Sequence, residues 1–126
     1  MQTFSIMAAP APQLLRDYLI YMSTIKGRSP RTVEAYYNDL RLFLRYLMAT
    51  RSGTPLPTDD PNLECISFAS ISEEMILSAR LSDAYSFLAY VQSVNQNNAK
   101  TRARKVSSLR GFYKYLQSKA GRLEEN

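Results

Sequence analysis

Apolar residues in this chain recur at spacings of three and four in four separate stretches, and no stretch reads as a regular strand. That period belongs to helices with one buried face, so the sequence restricts the fold to an all-α bundle. Leu14, Leu15, Tyr18, Leu19, Met22 and Ile25 form the first stripe. Val33, Tyr36, Tyr37, Leu40, Phe43, Leu44 and Leu47 form a broad second one, with Arg31, Ala35, Asn38, Arg41, Leu42 and Arg45 opposite. In the third, Tyr85, Leu88 and Val91 turn inward, with Phe87 and Val94 as further candidates. Val106, Leu109, Tyr113, Leu116 and Ala120 form the fourth, with Phe112 on its flank.

Helix start and stop signals frame these stripes. Pro12 suits the first turn of the first helix, and Gly27 a turn after its end. Ser29 before Pro30 is an N-cap hydroxyl followed by a residue with φ already set, which predicts a second helix over 30–50. Ser72 to Leu77 reads as a short fifth helix with Glu73 and Glu74 in its first turn. Ser82 is the expected cap of the third main helix, with Asp83 in its first turn. Gly121 is the expected stop of the last. Acids in first turns are dipole partners before they are catalysts. Between the helices, 52–61 carries three prolines and reads as a loop, and 62–69 as a short extended segment. Residues 1–11 read as a flexible arm or a short docking segment.

At 126 residues the chain suits one core, and 45% hydrophobic residues suffice to build it. Its charge is unevenly spread. Lys26 to Arg51 holds six basic and two acidic residues, Ser52 to Asn98 one and six, and Ala99 to Arg122 eight and none. If the two basic segments meet in the fold, one face is positive, as nucleic-acid binding requires.

The residue inventory excludes several chemistries. One cysteine, Cys65, forbids an intrachain disulfide. With no histidine there is no Ser-His or Cys-His pair and no zinc site of the usual kinds. No metal and no cofactor is expected. No apolar run reaches the length of a membrane span, and the N-terminus lacks the basic region of a signal peptide. A cytoplasmic protein is the expectation.

The last helix has two unlike sides. Opposite its apolar stripe lie Lys100, Arg104, Ser107, Gly111, Lys114 and Ser118. Such a face either lies on a nucleic acid or is merely solvated. Lys26, Arg28 and Arg31 gather at the start of the second helix, where free N–H groups and the dipole favour phosphate. The competing reading there is a capped helix start with solvated charges.

Three motifs carry a resemblance. The first is Ser29-Pro30-Arg31-Thr32 running into Tyr36, Asp39, Leu40 and Phe43, preceded by Leu15-Arg16-Asp17-Tyr18-Leu19. The second is Asp83-Ala84-Tyr85-Ser86-Phe87-Leu88. The third runs from Thr101 through Arg104, Ser107, Leu109 and Arg110 to Phe112-Tyr113 and Tyr115-Leu116. In this order and spacing they resemble the N-terminal, SAM-like core-binding domain of tyrosine recombinases (phage integrases) of the Xer type. The resemblance implies a core-binding domain over 12–121, with 122–126 opening the linker to a catalytic domain that this chain does not contain. No catalytic residue is expected here, and none of the nine tyrosines is the nucleophile.

The resemblance further implies that two antiparallel helices, 30–50 and 99–120, sit on one face of a duplex while a catalytic domain closes from the other. These are the two basic segments found from charge. The DNA-binding residues it points to are Arg28, Ser29, Arg31, Thr32, Lys100, Thr101, Arg104, Lys105, Ser108 and Lys114. Most of the cations would neutralise phosphates. Arg104 is the candidate for a guanine edge, Gly111 for close backbone approach, and Arg102 for a pair with Asp39. The implied partners are double-stranded DNA and other recombinase subunits, with a tetramer for a full-length parent and a monomer for this chain alone. The alternative is a helical protein–protein module whose basic face meets an acidic partner.

Overall fold

The computed structural model describes residues 4–68, 70–95 and 98–118. Five helices follow one another: α1 (Gln13–Thr24), α2 (Pro30–Ser52), α3 (Glu73–Leu77), α4 (Leu81–Asn95) and α5 (Ala99–Ser118). The described residues contain no strand, so the all-α expectation holds, and 62–68 consists of turns and irregular chain. Gly121, Ala120 and 122–126 lie outside the described residues.

α2 is the axis. Its stripe Val33, Tyr37, Leu40, Phe43, Leu44 and Leu47 is buried, and so are Leu42, on the side expected to be polar, and Tyr46, assigned to neither side. The excess burial has two causes. Phe87 of α4 packs against Tyr46 and Phe43, with ring centroids 5.5 and 5.2 Å away. The loop after α2 also folds back into the same core with Leu63, Phe68 and Ile71. The loop is tied by Tyr90, whose hydroxyl donates to the Pro57 carbonyl (2.6 Å), and by Arg45, which donates to that of Asn62 (3.0 Å).

Local chemistry sets the helix ends. Ser29 Oγ accepts from the Thr32 N–H with Pro30 at N1, and Gly53 closes α2 at φ +72°. Ser72 caps α3. The start of α4 departs from expectation: it begins at Leu81, and Asp83 Oδ2 reaches back to the Arg80 N–H (2.7 Å). Ser82 is therefore not the cap. Asp83 plays the reciprocal N3 part of a capping box and also pairs with Arg51 at 2.9 Å. Asn98 Oδ1 caps α5 by accepting from the Thr101 N–H.

Two apolar residues assigned to the interior lie outside: Ile25 is 71% exposed and Tyr85 64%. α1 ends before Ile25, so its stripe stops at Met22. In α4 the buried pair is Phe87 and Val91. Of the two readings of the N-terminal segment, the contacts of 4–11 are those of a docking segment. The Phe4 ring lies on that of Tyr37 (5.2 Å), Tyr37 donates to the Pro10 carbonyl, and Arg16 to those of Ile6 and Met7. No helix among the described residues is long and apolar enough to cross a membrane.

Candidate nucleic-acid interface

The two basic segments meet. The turn between α1 and α2 brings Lys26 and Arg28 to the outer side of α5, where they line one groove of about 470 Å³ with Tyr36, Ser107, Gly111, Lys114 and Ser118. Tyr18, Tyr21 and Tyr115 line it too, packed together with ring centroids 5.0 to 6.4 Å apart. Gly27, at φ +64°, turns the chain here, and the Arg28 N–H donates back to the Met22 carbonyl (3.0 Å). None of the groove residues is acidic. The surface offers positive charge and N–H and O–H donors, which is the chemistry that holds phosphate.

Apart from Arg104, the predicted residues divide into three groups. Arg28, Arg31, Lys100 and Lys114 are exposed. Ser29 and Thr32 are engaged with each other, the Ser29 hydroxyl donating to Thr32 Oγ1 (3.0 Å) beside the cap bond, while the Thr101 backbone N–H is taken by Asn98. The third group corrects the sequence reading. Lys105 and Ser108 are buried at 7% and 0% exposure and do not reach a ligand surface.

Both turn inward to Asp39 of α2, itself 1% exposed. Asp39 Oδ1 accepts from Lys105 Nζ (3.0 Å) and Arg104 Nη2 (2.8 Å), and Oδ2 from Arg104 Nε (2.9 Å) and Ser108 Oγ (2.8 Å). A buried carboxylate needs such partners, because an unpaired ion in the core is strongly destabilising. The predicted pairing of Asp39 with Arg102 gives way to Arg104, which reaches the carboxylate from the exposed side of α5. The Asp39 carboxylate holds the Arg104 guanidinium above its ordinary pKa.

The buried stripe of α5 is thus Lys105, Ser108, Leu109, Phe112 and Leu116, rotated from the apolar-only assignment by about one residue. Gly111 also has a packing role. Its missing Cβ makes room for the hydroxyl of Tyr18 on α1. Ser107 and Lys26, which the sequence places on the basic surfaces but outside the selected DNA-binding set, belong to the groove, and so does Tyr36, expected in the apolar stripe of α2. The signal for Ser107 is its place opposite the apolar stripe of α5, with 104, 111, 114 and 118.

A wider groove of about 1490 Å³ lies across α5, bounded by α3, α4 and the end of α2. Leu81 and Tyr85 stand exposed on its wall, and Arg51, Arg110 and Lys114 line it. No cluster of His, Cys, Asp or Glu among the described residues is arranged to hold a metal ion.

The described residues form an all-helical bundle with a basic seam between α5 and the turn that joins α1 to α2, and comparison with known proteins places the chain in a family. Residues 15–60 and 63–120 match the family described as "Phage integrase, N-terminal SAM-like domain", and the chain belongs to that family. It is 40% identical over 115 residues to the tyrosine recombinase XerC of Caldanaerobacter subterraneus subsp. tengcongensis, covering 91% of this chain and 32% of that protein. It is 29% identical over 103 residues to the tyrosine recombinase XerD of Listeria monocytogenes serotype 4b (82% of this chain, 28% of the other). With the XerC of Mesorhizobium japonicum it shares 31% over 118 residues, covering 93% of this chain and 32% of that protein. The chain therefore spans about a third of the length of the curated relatives it matches. No solved structure matches it.

Proposed function

We propose that residues 12–121 are the domain with which a site-specific tyrosine recombinase grips duplex DNA, and that strand cleavage and exchange belong to a catalytic domain outside this chain. The observation that carries this reading is the convergence of Lys26 and Arg28 with Ser107 and Lys114 in one acid-free groove. Arg31 and Lys100, exposed at the starts of α2 and α5, extend the positive surface. The cations hold phosphates, and the capped start of α2 adds the positive end of its dipole. Other recombinase subunits are the further partners, assembled on the same DNA. The test is duplex binding by fluorescence anisotropy across a salt series. Binding whose logarithm falls linearly with log salt supports the reading, and salt-insensitive or absent binding rejects it. The chain alone should neither cleave DNA nor form a covalent adduct with it.

The second reading is a helical module for an acidic protein partner. Leu81 and Tyr85, exposed on the α4 wall of the wider groove, favour it. A duplex gel shift with salt titration discriminates the two, because a module built for an acidic protein partner shows no salt-dependent duplex binding.

A further inference from the structure

We infer that Asp39 is a positioning residue for base recognition: it clamps Arg104 so that the outer edge of its guanidinium is presented as a fixed fork to a guanine in the major groove. The inference rests on the duplex-binding reading above.

Asp39 takes Nε and Nη2 side-on, at 2.9 and 2.8 Å. A guanidinium carries five N–H groups in a planar fork. The side-on pair consumes the edge nearest the helix and turns the end-on edge, Nη1 with the second N–H of Nη2, away from Asp39. That edge carries two parallel donors, matching the two parallel acceptors O6 and N7 of guanine. The Arg104 side chain is 42% exposed while its partner carboxylate is 1% exposed, so one edge of the group is anchored in the core and the group still reaches solvent.

The anchor is itself held. Lys105 and Ser108 bind the same carboxylate from the helix that bears Arg104, and Asp39 rides on α2. Its oxygens receive four donors in all, which leaves the carboxylate one orientation. Arg104 lies one turn before Ser107 and close to Tyr36, both of which line the basic groove. The fork therefore stands at the end of the surface assigned to phosphates. A long side chain fixed in advance loses less rotamer freedom on binding than a free one, and fixed direction is what base discrimination needs beyond charge.

The test is selection of bound duplexes from a pool randomised in sequence, followed by anisotropy on the selected duplex and its single-base variants. The wild-type chain should prefer G·C at one position by roughly tenfold or more. Arg104→Lys keeps the charge and lacks the fork. It should lose that preference while the salt slope stays unchanged. Asp39→Asn, checked for folding by circular dichroism, should lose the preference at the same position. If Asp39→Asn does not fold, Arg104→Lys on the folded protein decides the outcome. The inference is overturned if Arg104→Lys retains the wild-type profile. It is also overturned if Arg104→Lys weakens all sequences equally, or if a folded Asp39→Asn keeps the preference that Arg104→Lys loses. A wild-type chain that binds duplexes with no guanine position overturns it too, leaving DNA binding intact. A wild-type chain that binds no duplex removes the DNA reading itself.

Discussion

Gly111 of α5 lies so close to Tyr18 of α1 that a Cβ on Gly111 would stand 2.5 Å from the Tyr18 hydroxyl oxygen, with the next ring carbon at 3.7 Å. The conflict is with one oxygen at the end of a buried, rigid ring. Alanine in place of a mid-helix glycine would otherwise stabilise by about 1 kcal/mol. Gly111→Ala should therefore destabilise, by about 1–3 kcal/mol as in other overpacked cores. In a Tyr18→Phe background the same substitution should become stabilising. Denaturant unfolding of the four proteins of this cycle measures the coupling, and additive effects would reject the contact.

The division of the cations into exposed and buried predicts different salt behaviour. Lys100→Ala and Lys114→Ala should each lower the salt slope of duplex binding by about one. Lys105→Met should leave the slope unaltered, because that ammonium faces Asp39. A reduced slope for Lys105→Met would return that residue to the DNA surface.

The cluster around Asp39 should respond asymmetrically to truncation. Asp39→Ala leaves the Lys105 ammonium buried without its counter-ion and should cost about 3 kcal/mol or more. Arg104→Ala leaves Lys105 and Ser108 on the carboxylate and frees a partly exposed group, so it should cost about 1 kcal/mol. Equal costs from urea titration would refute the ranking.

High pH should loosen the bundle before it ionises the folded protein. Burial pushes the Tyr18 phenol up to about 12, with Tyr36 and Tyr21 adding to the shift, and burial raises that of Tyr113 as well. Below pH 10 both phenols are neutral in folded and unfolded chains, and their contribution is complete. Above it the unfolded chain ionises while folded Tyr18 stays neutral, so stability falls between about pH 10 and 12 by on the order of 2 kcal/mol. Tyr18→Phe should reduce that fall, as read from urea midpoints at successive pH values.

Helix number and most starts are legible in the sequence because caps are local. Ser29 with Pro30, and Ser72 ahead of Glu73, each act within a few residues. The face of α5 is not legible from hydrophobicity, because Lys105 and Ser108 occupy core positions while being polar. A stripe traced through apolar residues alone skips them and settles on Val106 and Tyr113. What makes those positions buried is a carboxylate 65 to 69 residues earlier in the chain. Motif spacing brought Asp39 and Arg104 into view separately. Nothing local showed that they face each other. The burial of Leu63, Phe68 and Ile71 is hidden for a related reason, since the loop segment that carries them has no period of its own.

Two cations on one buried carboxylate give the junction of α2 and α5 a spare counter-ion. If the side chain at 104 changes, Asp39 keeps Lys105 at 3.0 Å and Ser108 at 2.8 Å, and the two helices remain pinned. The outward position is thereby uncoupled from the strut beneath it. New residues can be tried at 104, by selection or by engineering, on a scaffold that does not have to be rebuilt each time.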